Sequence, residues 1–333
     1  MNQVLVGVDI GGTAIKMALL RRDGAMLGKT MEATPVADGE DGIVQKVAEM
    51  MDLLLDGQGL QRGDAAGIGV GVPGTVDAQN GIVREAVNLN WKSPVHLRDK
   101  LAAATGLPVA VENDANTATL GERWQGAGQG ARDMVMITLG TGVGGGIICN
   151  GQIVEGVNGI AGEIGHISMA PEGGPLCNCG KTGCLETYAS ATAFIRAGCE
   201  AAASGVSPAL AELLANKVDI KARDVLEAAK AGDPGAAAIV EQAGLYLGLA
   251  LSHLAILLNP SRLIIGGGVA AAGEFLLAKV RQSFRHFVPF PYVIASTEIL
   301  PATLGNDAGM IGAAWLILSQ TQHEPGDAEA RLD

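Results

Sequence analysis

Three of the five cysteines lie within the short sequence CNCGKTGCLE, which begins at position 177, and a histidine precedes them in AGEIGHIS. One imidazole and three thiolates make a complete tetrahedral ligand set for zinc. We expect a cytoplasmic protein, whose thiols stay reduced, so a disulfide framework is not favoured. The pattern therefore predicts a closed, structural zinc site formed by His166, Cys177, Cys179 and Cys184, with free thiols as the alternative.

Two carboxylates lie close to these ligands in the sequence. Glu163 precedes His166 by three residues, and Glu186 follows Cys184 by two. If one nitrogen of the imidazole binds the metal, the other nitrogen can hydrogen-bond a ligand. We therefore predict a metal-braced platform on which the two carboxylates and the imidazole recognise a polyol.

A further carboxylate ends the apolar pattern of VENDAN, where Asn113 precedes Asp114. Near phosphate-binding loops, such a carboxylate could accept a proton from a substrate hydroxyl as that oxygen attacks phosphorus. The alternative is structural, because Asp114 or Asn116 could instead cap the N-terminus of a helix.

Glycine accounts for 48 residues, about double its average usage, and three glycine runs could approach phosphates or a nucleotide. DIGGTAIK and LGTGVGGG each join two strand patterns, so their amides could form a phosphate-binding nest, although neither is a Walker loop. IIGGGV could run beside a base or ribose, or simply turn from strand to helix. The candidate residues are Gly11, Gly12, Thr13, Lys16, Gly140, Thr141, Gly142, Gly144, Gly266, Gly267 and Gly268.

Alternating strand and helix patterns position these motifs. VLVGVDI, IKMALL and AMLGKTMEA predict a β-meander, and the same order of strand, glycine turn and strand returns in DMVMITLGTGVGGGIICNGQIVEG. This recurrence predicts an internal duplication of an α/β fold. Further strands are predicted at AAGIGVGVPG, LPVAVEND, RLIIGGGV and VIASTEI, and helices at GIVQKVAEMMDLLLDG, VHLRDKLAAATG, about 190–203, 222–232, 235–258, EFLLAKVRQSF and DAGMIGAAWLILSQ.

Composition and charge exclude several classes of protein. A chain of 333 residues is long enough for two domains. Its net charge of −12 argues against broad contact with nucleic acid or anionic lipid. We find neither a signal-like segment nor an apolar run of roughly 18 residues, and so expect no membrane span. Cys149 and Cys199 are expected to be small buried apolar residues.

The motifs DIGGTAIK, GVPG, ENDAN, LGTGVGGG, GEIGH and CNCGKTGCLE, in this order over about residues 4–318, closely resemble the ROK family of sugar kinases and repressors. CNCGKTGCLETYASATA, with NLNW earlier, is most similar to the bacterial ATP-dependent glucokinases of that family. The resemblance implies a two-lobed, duplicated actin/hexokinase-like (ribonuclease H-like) α/β fold with a cleft between the lobes. It implies a small lobe of residues 1–115 plus 313–325, a large lobe of residues 116–312 with the zinc loop, and a polar tail of residues 326–333.

The same resemblance implies phosphorylation of glucose at the 6-hydroxyl by MgATP, with Asp114 as the base. It implies that Asp9 orients Mg2+ through water, that the glycine loops bind the phosphates, and that Lys16 could point away from them. The implied sugar contacts are Asn88, Asn113, Asp114, Glu163, His166 and Glu186. Members of the family are often homodimers, and no nucleic-acid or membrane partner is expected.

Three alternatives remain open from the sequence. The first is a kinase for N-acetylmannosamine, N-acetylglucosamine or fructose, and polyphosphate could replace ATP as the donor. The second is a sugar-responsive repressor, which is disfavoured because only three residues precede the first strand pattern and a helix-turn-helix would be required. The third is a sugar-binding regulator without catalysis.

Overall fold

The computed structural model describes residues 3–322, so the polar tail expected at 326–333 lies outside the described residues. The chain divides into two compact units. Of the described residues, unit 1 contains 3–130, 153–161 and 306–322, and unit 2 contains 131–152 and 162–305. Each unit has its own cluster of buried apolar side chains around a five-stranded sheet.

Within residues 3–322 the strands are β1 (Val4–Ile10), β2 (Ala14–Leu20), β3 (Met26–Ala33), β4 (Ala65–Val72), β5 (Thr75–Asp77), β6 (Ile82–Glu85), β7 (Val109–Asn113), β8 (Met134–Leu139), β9 (Val143–Cys149), β10 (Gln152–Ile153), β11 (Arg262–Gly266) and β12 (Glu298–Pro301). The α-helices are α1 (Gly39–Asp56), α2 (Leu97–Thr105), α3 (Asp114–Gln125), α4 (Glu186–Ala189), α5 (Ala191–Ala203), α6 (Pro208–Ala215), α7 (Ala222–Lys230), α8 (Pro234–Leu258), α9 (Glu274–Phe287), α10 (Pro291–Ser296) and α11 (Ala308–Gln322).

The two sheets have corresponding strand orders. Unit 1 has the order β3-β2-β1-β4-β7, with β1, β2 and β3 antiparallel and with β4 and β7 parallel to β1. Unit 2 has the order β10-β9-β8-β11-β12, in which β8 and β9 are antiparallel and β11 and β12 run parallel to β8. The correspondence confirms the predicted duplication, and it gives the first two glycine loops equivalent positions.

Apolar sequence explains why the central strands are buried. β1 and β4 are almost entirely apolar or glycine, as expected for strands covered on both faces. α11 covers one face of this sheet, and it lies so close that a Cβ at Gly69 would collide with the carbonyl of Ala313. In this way the last helix of the described chain completes the core of the first sheet.

The boundary of unit 1 differs from the one expected at residue 115. Unit 1 also includes residues 116–130 and 306–312, because α3 packs directly against α11. The approach is close enough that a Cβ at Gly312 would collide with the carbonyl of Thr117. Packing between these two helices therefore assigns the whole of α3 to unit 1.

Three local expectations differ from the structure. VIASTEI was predicted to be a strand, but Pro291–Ser296 form α10 and β12 begins only at Glu298. Proline in the first turn favours a helix, and a short apolar run does not distinguish helix from strand. Cys149 was expected to be buried but is exposed at the end of β9, and Cys199 is only partly buried. The helices α4 and α6 were not predicted, and α3 was considered only as the structural alternative for Asp114 and Asn116.

By length and composition alone, α8 is the one helix among residues 3–322 that could cross a membrane. Of its most apolar 18 residues, 56% are buried. It packs along α9 and against α7, and many of its side chains belong to the apolar core of unit 2.

Candidate functional site

The four predicted metal ligands come together in unit 2. The ligand atoms of His166, Cys177, Cys179 and Cys184 all lie within 4.8 Å of one another. The Sγ atoms of Cys179 and Cys184 are 3.7 Å apart, and Nδ1 of His166 is 3.6 Å from Sγ of Cys177. Two thiolates at about 2.3 Å from a tetrahedral zinc ion are separated by about 3.8 Å. The donor set and its spacing therefore fit zinc.

The thiols in this cluster need a cation to ionise together. Burial raises the pKa of the Cys177 thiol to about 12 and also raises that of Cys184. A backbone hydrogen bond from Lys181 lowers the pKa of Cys179. A bound metal ion reverses the effect of burial because its charge stabilises thiolates directly. The chemistry of the donors thus agrees with their geometry.

His166 presents its two nitrogens to different partners. Nδ1 faces the cysteine cluster, whereas Nε2 lies 3.9 Å from Oε2 of Glu163. Both side chains are partly exposed, at 40% and 46%. This is the arrangement that the sequence predicts, with one nitrogen available to a metal and the other directed toward a carboxylate and solvent.

Glu186 connects the cysteine cluster to the second glycine loop, residues 140–142, which we call loop 2. Its Oε1 accepts a hydrogen bond from Sγ of Cys177 at 3.4 Å, and its Oε2 accepts one from the backbone N–H of Val143 at 3.1 Å. A Cβ at Gly142 would collide with the same carboxylate. Glu186 therefore braces loop 2 in addition to any contact that it makes with a substrate.

The start of α5 also holds loop 2. The backbone N–H of Ala191 donates to the carbonyl of Gly140 at 2.8 Å, and the hydroxyl of Thr192 donates to the carbonyl of Thr141 at 2.8 Å. Gly144, a predicted phosphate contact, lies inside β9 opposite Thr138. The loop itself is thus shorter than the glycine run.

The third glycine run follows β11 in the same unit. Gly267 has a positive φ of 87°, and a Cβ there would lie 2.5 Å from backbone atoms of Leu139, the residue before loop 2. Gly266 packs near Ala302, while a Cβ at Gly268 would meet nothing within 4 Å. The run is a turn into a short 3-10 helix (Val269–Ala272), and it lies beside loop 2.

In unit 1 the predicted base opens a helix. Asp114 is the first residue of α3, and its Oδ1 accepts a hydrogen bond from the N–H of Ala115 at 2.9 Å. The N-cap is Asn113, neither of the two residues considered from sequence, and its Oδ1 accepts from the N–H groups of Ala115 and Asn116. A helix N-terminus favours negative charge, so this position suits a carboxylate.

The side-chain amide of Asn113 also donates to the carbonyl of Gly74 in the GVPG motif, at 3.0 Å. One neighbouring residue, Glu112, was missed. Glu112 is 2% exposed, and its Oε1 accepts from the N–H of Asn113 at 2.7 Å and from Nδ2 of Asn116 at 3.1 Å. The signal in the sequence was a glutamate within an otherwise apolar strand.

The first glycine loop, residues 11–13, which we call loop 1, joins β1 to β2. The hydroxyl of Thr34 on the chain after β3 donates to the carbonyl of Gly11 at 2.6 Å, and its N–H donates to the carbonyl of Thr13. A Cβ at Gly12 would lie 2.9 Å from the carbonyl oxygen of Asn88. Asn88, a predicted sugar contact, therefore lies against loop 1.

Asp9 and Lys16 are opposite each other on β1 and β2. Nζ of Lys16 donates to Oδ2 of Asp9 at 3.1 Å, so the ammonium is directed to this carboxylate. A Cβ at Gly309, in the first turn of α11, would lie 2.9 Å from the carboxylate carbon of Asp9. Gly309 was not singled out from sequence, and its small size lets Asp9 approach the start of a helix.

The comparisons with known proteins agree along the whole chain. The model of the ROK family matches residues 5–320. The glucokinase of Halalkalibacterium halodurans is 48% identical over 319 residues, 95% of either chain. The glucokinase of Thermotoga maritima is 38% identical over 314 residues, 94% of this chain and 96% of the relative. A crystal structure of a ROK family glucokinase from Streptomyces griseus with glucose and AMPPNP is 37% identical, with a TM-score of 0.76, covering 94% of this chain and 98% of that one.

Proposed function

The chain belongs to the ROK family, and we propose that it is a glucokinase that transfers the γ-phosphoryl group of ATP to the 6-hydroxyl of glucose. One observation carries the proposal: two sheets with corresponding strand orders each place a glycine loop between their first two strands. Two such loops suit a ligand with several phosphates. The likeness to a glucokinase solved with glucose and AMPPNP supports the identity of both substrates.

Asp114 is the proposed base. As O6 of glucose attacks the γ-phosphorus, an O–P bond forms, the bond from the γ-phosphorus to the bridging oxygen of ADP breaks, and the carboxylate takes the hydroxyl proton. Because the transition state is loose, the proton is needed late, and most of the rate enhancement comes from positioning and electrostatic stabilisation. The hydrogen bond from Ala115 and the start of α3 fix the carboxylate for this role.

We assign the sugar hydroxyls to the polar side chains that the sequence predicts as sugar contacts, namely Asn88, Asn113, Asp114, Glu163, His166 through its Nε2, and Glu186. The bond from Asn113 to Gly74 uses one amide hydrogen and leaves the second for a hydroxyl.

The nucleotide is assigned to the glycine runs. Loop 1 and loop 2 bind the phosphates through backbone amides and the hydroxyls of Thr13 and Thr141, and Gly268 lies where the adenosine passes. A carboxylate suits Mg2+, which would stabilise charge on the transferring phosphoryl group, and Asp9 is the residue that would hold it through water. The observed pair of Lys16 with Asp9 supports a role for Lys16 in orienting that carboxylate rather than in binding phosphate.

Zinc is proposed as a structural ion held by His166, Cys177, Cys179 and Cys184. Four protein ligands leave no coordination position for substrate, so zinc would supply rigidity and no chemistry. The position of Glu186 supports this role, because it follows the proposed ligand Cys184 by two residues and accepts a hydrogen bond from the N–H of Val143 beside loop 2.

An assay of ADP release over a panel of sugars tests the proposal. We expect kcat/KM for glucose to exceed that for N-acetylmannosamine, N-acetylglucosamine and fructose, with ATP preferred over polyphosphate. A higher value for one of the other sugars would reassign the substrate within the same reaction. Sugar binding without ADP release would instead identify a regulator, and the proposed reaction would be wrong.

We further propose that the protein is cytoplasmic and forms a homodimer. Sedimentation analysis of the purified protein tests the oligomeric state.

A further inference from the structure

Glu112 is a buried carboxyl group that the proposed mechanism does not use. It precedes the Asn113–Asp114 turn at the end of β7. One of its oxygens, Oε1, accepts hydrogen bonds from the N–H of Asn113 and from Nδ2 of Asn116. Glu112 therefore ties the last residues of the strand to the first turn of α3, on either side of the proposed base.

Two oxygens next to these bonds have no hydrogen-bond partner among residues 3–322. They are Oε2 of Glu112 and Oδ1 of Asn116, and their residues are 2% and 3% exposed. Both are acceptors when the glutamate is ionised, and buried acceptors without a partner are rare in native proteins. A carboxyl group becomes a donor when it is protonated. One proton on Oε2 would then satisfy both oxygens and complete a two-bond pair of acid and amide.

The surroundings of Glu112 disfavour a negative charge. Burial raises the pKa of Glu112, and the charge of Glu155, in the segment 153–161 of unit 1, raises it further. The pKa of Glu155 is itself raised by burial and by the charge of Asp77 on β5. The guanidinium of Arg84 on β6 donates a hydrogen bond to Oδ2 of Asp77 at 2.8 Å. The neighbouring strand β4 carries no titratable side chain, and on α3 the nearest such group in sequence is Asp114.

Burial is the largest influence on this group. It raises the pKa of Glu112 to about 7, although the hydrogen bonds from Asn113 and Asn116 act in the opposite direction. None of the ion pairs described for residues 3–322 includes Glu112. The neutral acid is therefore favoured in weakly acidic solution, and it gives up its proton to solvent around neutral pH.

We propose that Glu112 is a positioning residue that keeps a proton on Oε2, donates it to Oδ1 of Asn116, and thereby fixes the turn that carries Asn113 and Asp114. When the proton leaves to solvent, the O–H···O bond is lost and a carboxylate oxygen remains buried beside an amide oxygen. The turn is then held by the two bonds to Oε1 alone. The predicted effect on catalysis rests on the proposed kinase function, whereas the predicted protonation of Glu112 does not.

Glu112→Gln separates the two forms of this group. The glutamine amide can donate to Oδ1 of Asn116 while its oxygen still accepts from Asn113 and Asn116, so the variant copies the protonated pair and cannot ionise. The raised pKa means that wild type loses stability as pH rises from about 4.5 to about 7. Across this range, the Tm of the variant should gain steadily on that of wild type and exceed it above neutral pH. A variant less stable than wild type by the same amount at every pH would overturn the proposal.

Infrared spectroscopy observes the proton directly. We expect a carboxylic-acid C=O band in folded wild type at weakly acidic pH that disappears around neutral pH and is missing from Glu112→Gln. The titration of wild type alone decides the point if the variant does not fold, since absence of this band would exclude the proton. Neither this measurement nor the Tm requires kinase activity, so the proton is tested even if the proposed reaction is wrong.

Kinetics test the positioning role. For wild type, kcat should fall as pH rises above about 7, and Glu112→Gln should lack this decline while keeping kcat within about threefold below neutral pH. Glu112→Ala, which cannot form the pair, should lose roughly tenfold or more in kcat with little change in KM for MgATP. Glu122→Gln is the control, because Glu122 is also buried on α3 but bonds Ala127 at the other end of the helix. Its pH profile should match wild type, and an unchanged profile for Glu112→Gln would contradict the role.

Discussion

Loop 1 and loop 2 occupy equivalent positions in two sheets of corresponding strand order, yet different partners hold them. Loop 1 is held by Thr34, on the chain just beyond its own sheet. Loop 2 is held by Glu186 and by the start of α5, and Glu186 also bonds a cysteine of the predicted zinc site. The topology of the sheet thus fixes where each glycine loop lies, whereas the residues that hold the loop differ between the two units.

This difference assigns different tasks to the two units. Unit 1 presents the proposed base on a helix that is held by close backbone packing, and unit 2 presents polar groups on the segment that carries the proposed zinc ligands. Substitutions in unit 1 should therefore affect kcat or folding, and substitutions behind loop 2 should affect binding of MgATP.

Asp114→Asn gives the largest expected effect. Loss of a general base should lower kcat by about 10²- to 10⁴-fold, with little change in affinity for glucose, because the amide keeps the size of the side chain. Steady-state kinetics together with glucose titration measure both quantities. The exposed Asp99→Asn in the same unit is the control and should leave kcat unchanged. Near-normal kcat for Asp114→Asn would show that Asp114 is not the base.

Cys179→Ser tests the dependence of unit 2 on metal. Wild type should contain one zinc per chain, and loss of a ligand should release it, lower the Tm and raise KM for MgATP by roughly tenfold or more, since the ion no longer holds the segment that carries Glu186. Elemental analysis and kinetics provide the measurements. Cys199→Ser, a partly buried thiol outside the cluster, should retain zinc. Active, stable wild type without zinc would show that the cluster does not need an ion.

Gly312→Ala tests the packing that supports the proposed base. Alanine favours a helix by up to about 1 kcal/mol over glycine, but the added methyl would collide with the carbonyl of Thr117. Overpacking of this kind costs about 1–3 kcal/mol or more, so the collision should dominate and lower the free energy of unfolding measured in urea. Gly63→Ala, where a Cβ meets nothing within 4 Å, should stay within about 0.5 kcal/mol of wild type. Equal stabilities of the two variants would contradict the close contact of α3 with α11.

Gly142→Ala and Gly140→Ala give the smallest and most specific comparison. A methyl at Gly142 displaces the carboxylate of Glu186, whereas one at Gly140 meets no protein atom within 4 Å. We expect Gly142→Ala to lower the Tm and raise KM for MgATP several-fold. Gly140→Ala should leave the Tm unchanged, so any rise in its KM reports on the approach of phosphate alone. If Gly140→Ala lowered the Tm and Gly142→Ala did not, Glu186 would not brace the loop.

Much of this arrangement could be predicted from the sequence where local pattern and chemistry coincide. Three thiols and an imidazole close together in a sequence are typical of a zinc site, so the cluster of His166 with Cys177, Cys179 and Cys184 was predicted, and its side chains do converge. The repeated order of strand and glycine loop likewise predicted the duplicated sheets, because the first strand of each sheet is almost entirely apolar.

What could not be predicted depends on partners that are distant in sequence. VIASTEI is apolar enough for a strand, but only Glu298–Pro301 pair with β11, and the residues before them form a helix after Pro291. Gly309 gains its importance from Asp9, three hundred residues earlier. The role of Glu186 as a brace could not be predicted from the sequence either, because its carboxylate accepts a hydrogen bond from the N–H of Val143 in another element.

The position of α11 has a consequence for synthesis of the protein. β1 and β4 precede all of unit 2 in the chain, yet the helix that covers one face of their sheet begins at Ala308. Until α11 has been synthesised, that apolar face lacks this cover, whereas every described strand and helix of unit 2 precedes α11 in the chain. Unit 2 can therefore complete its core on the nascent chain before unit 1, so the half that is made first is the half that finishes folding last.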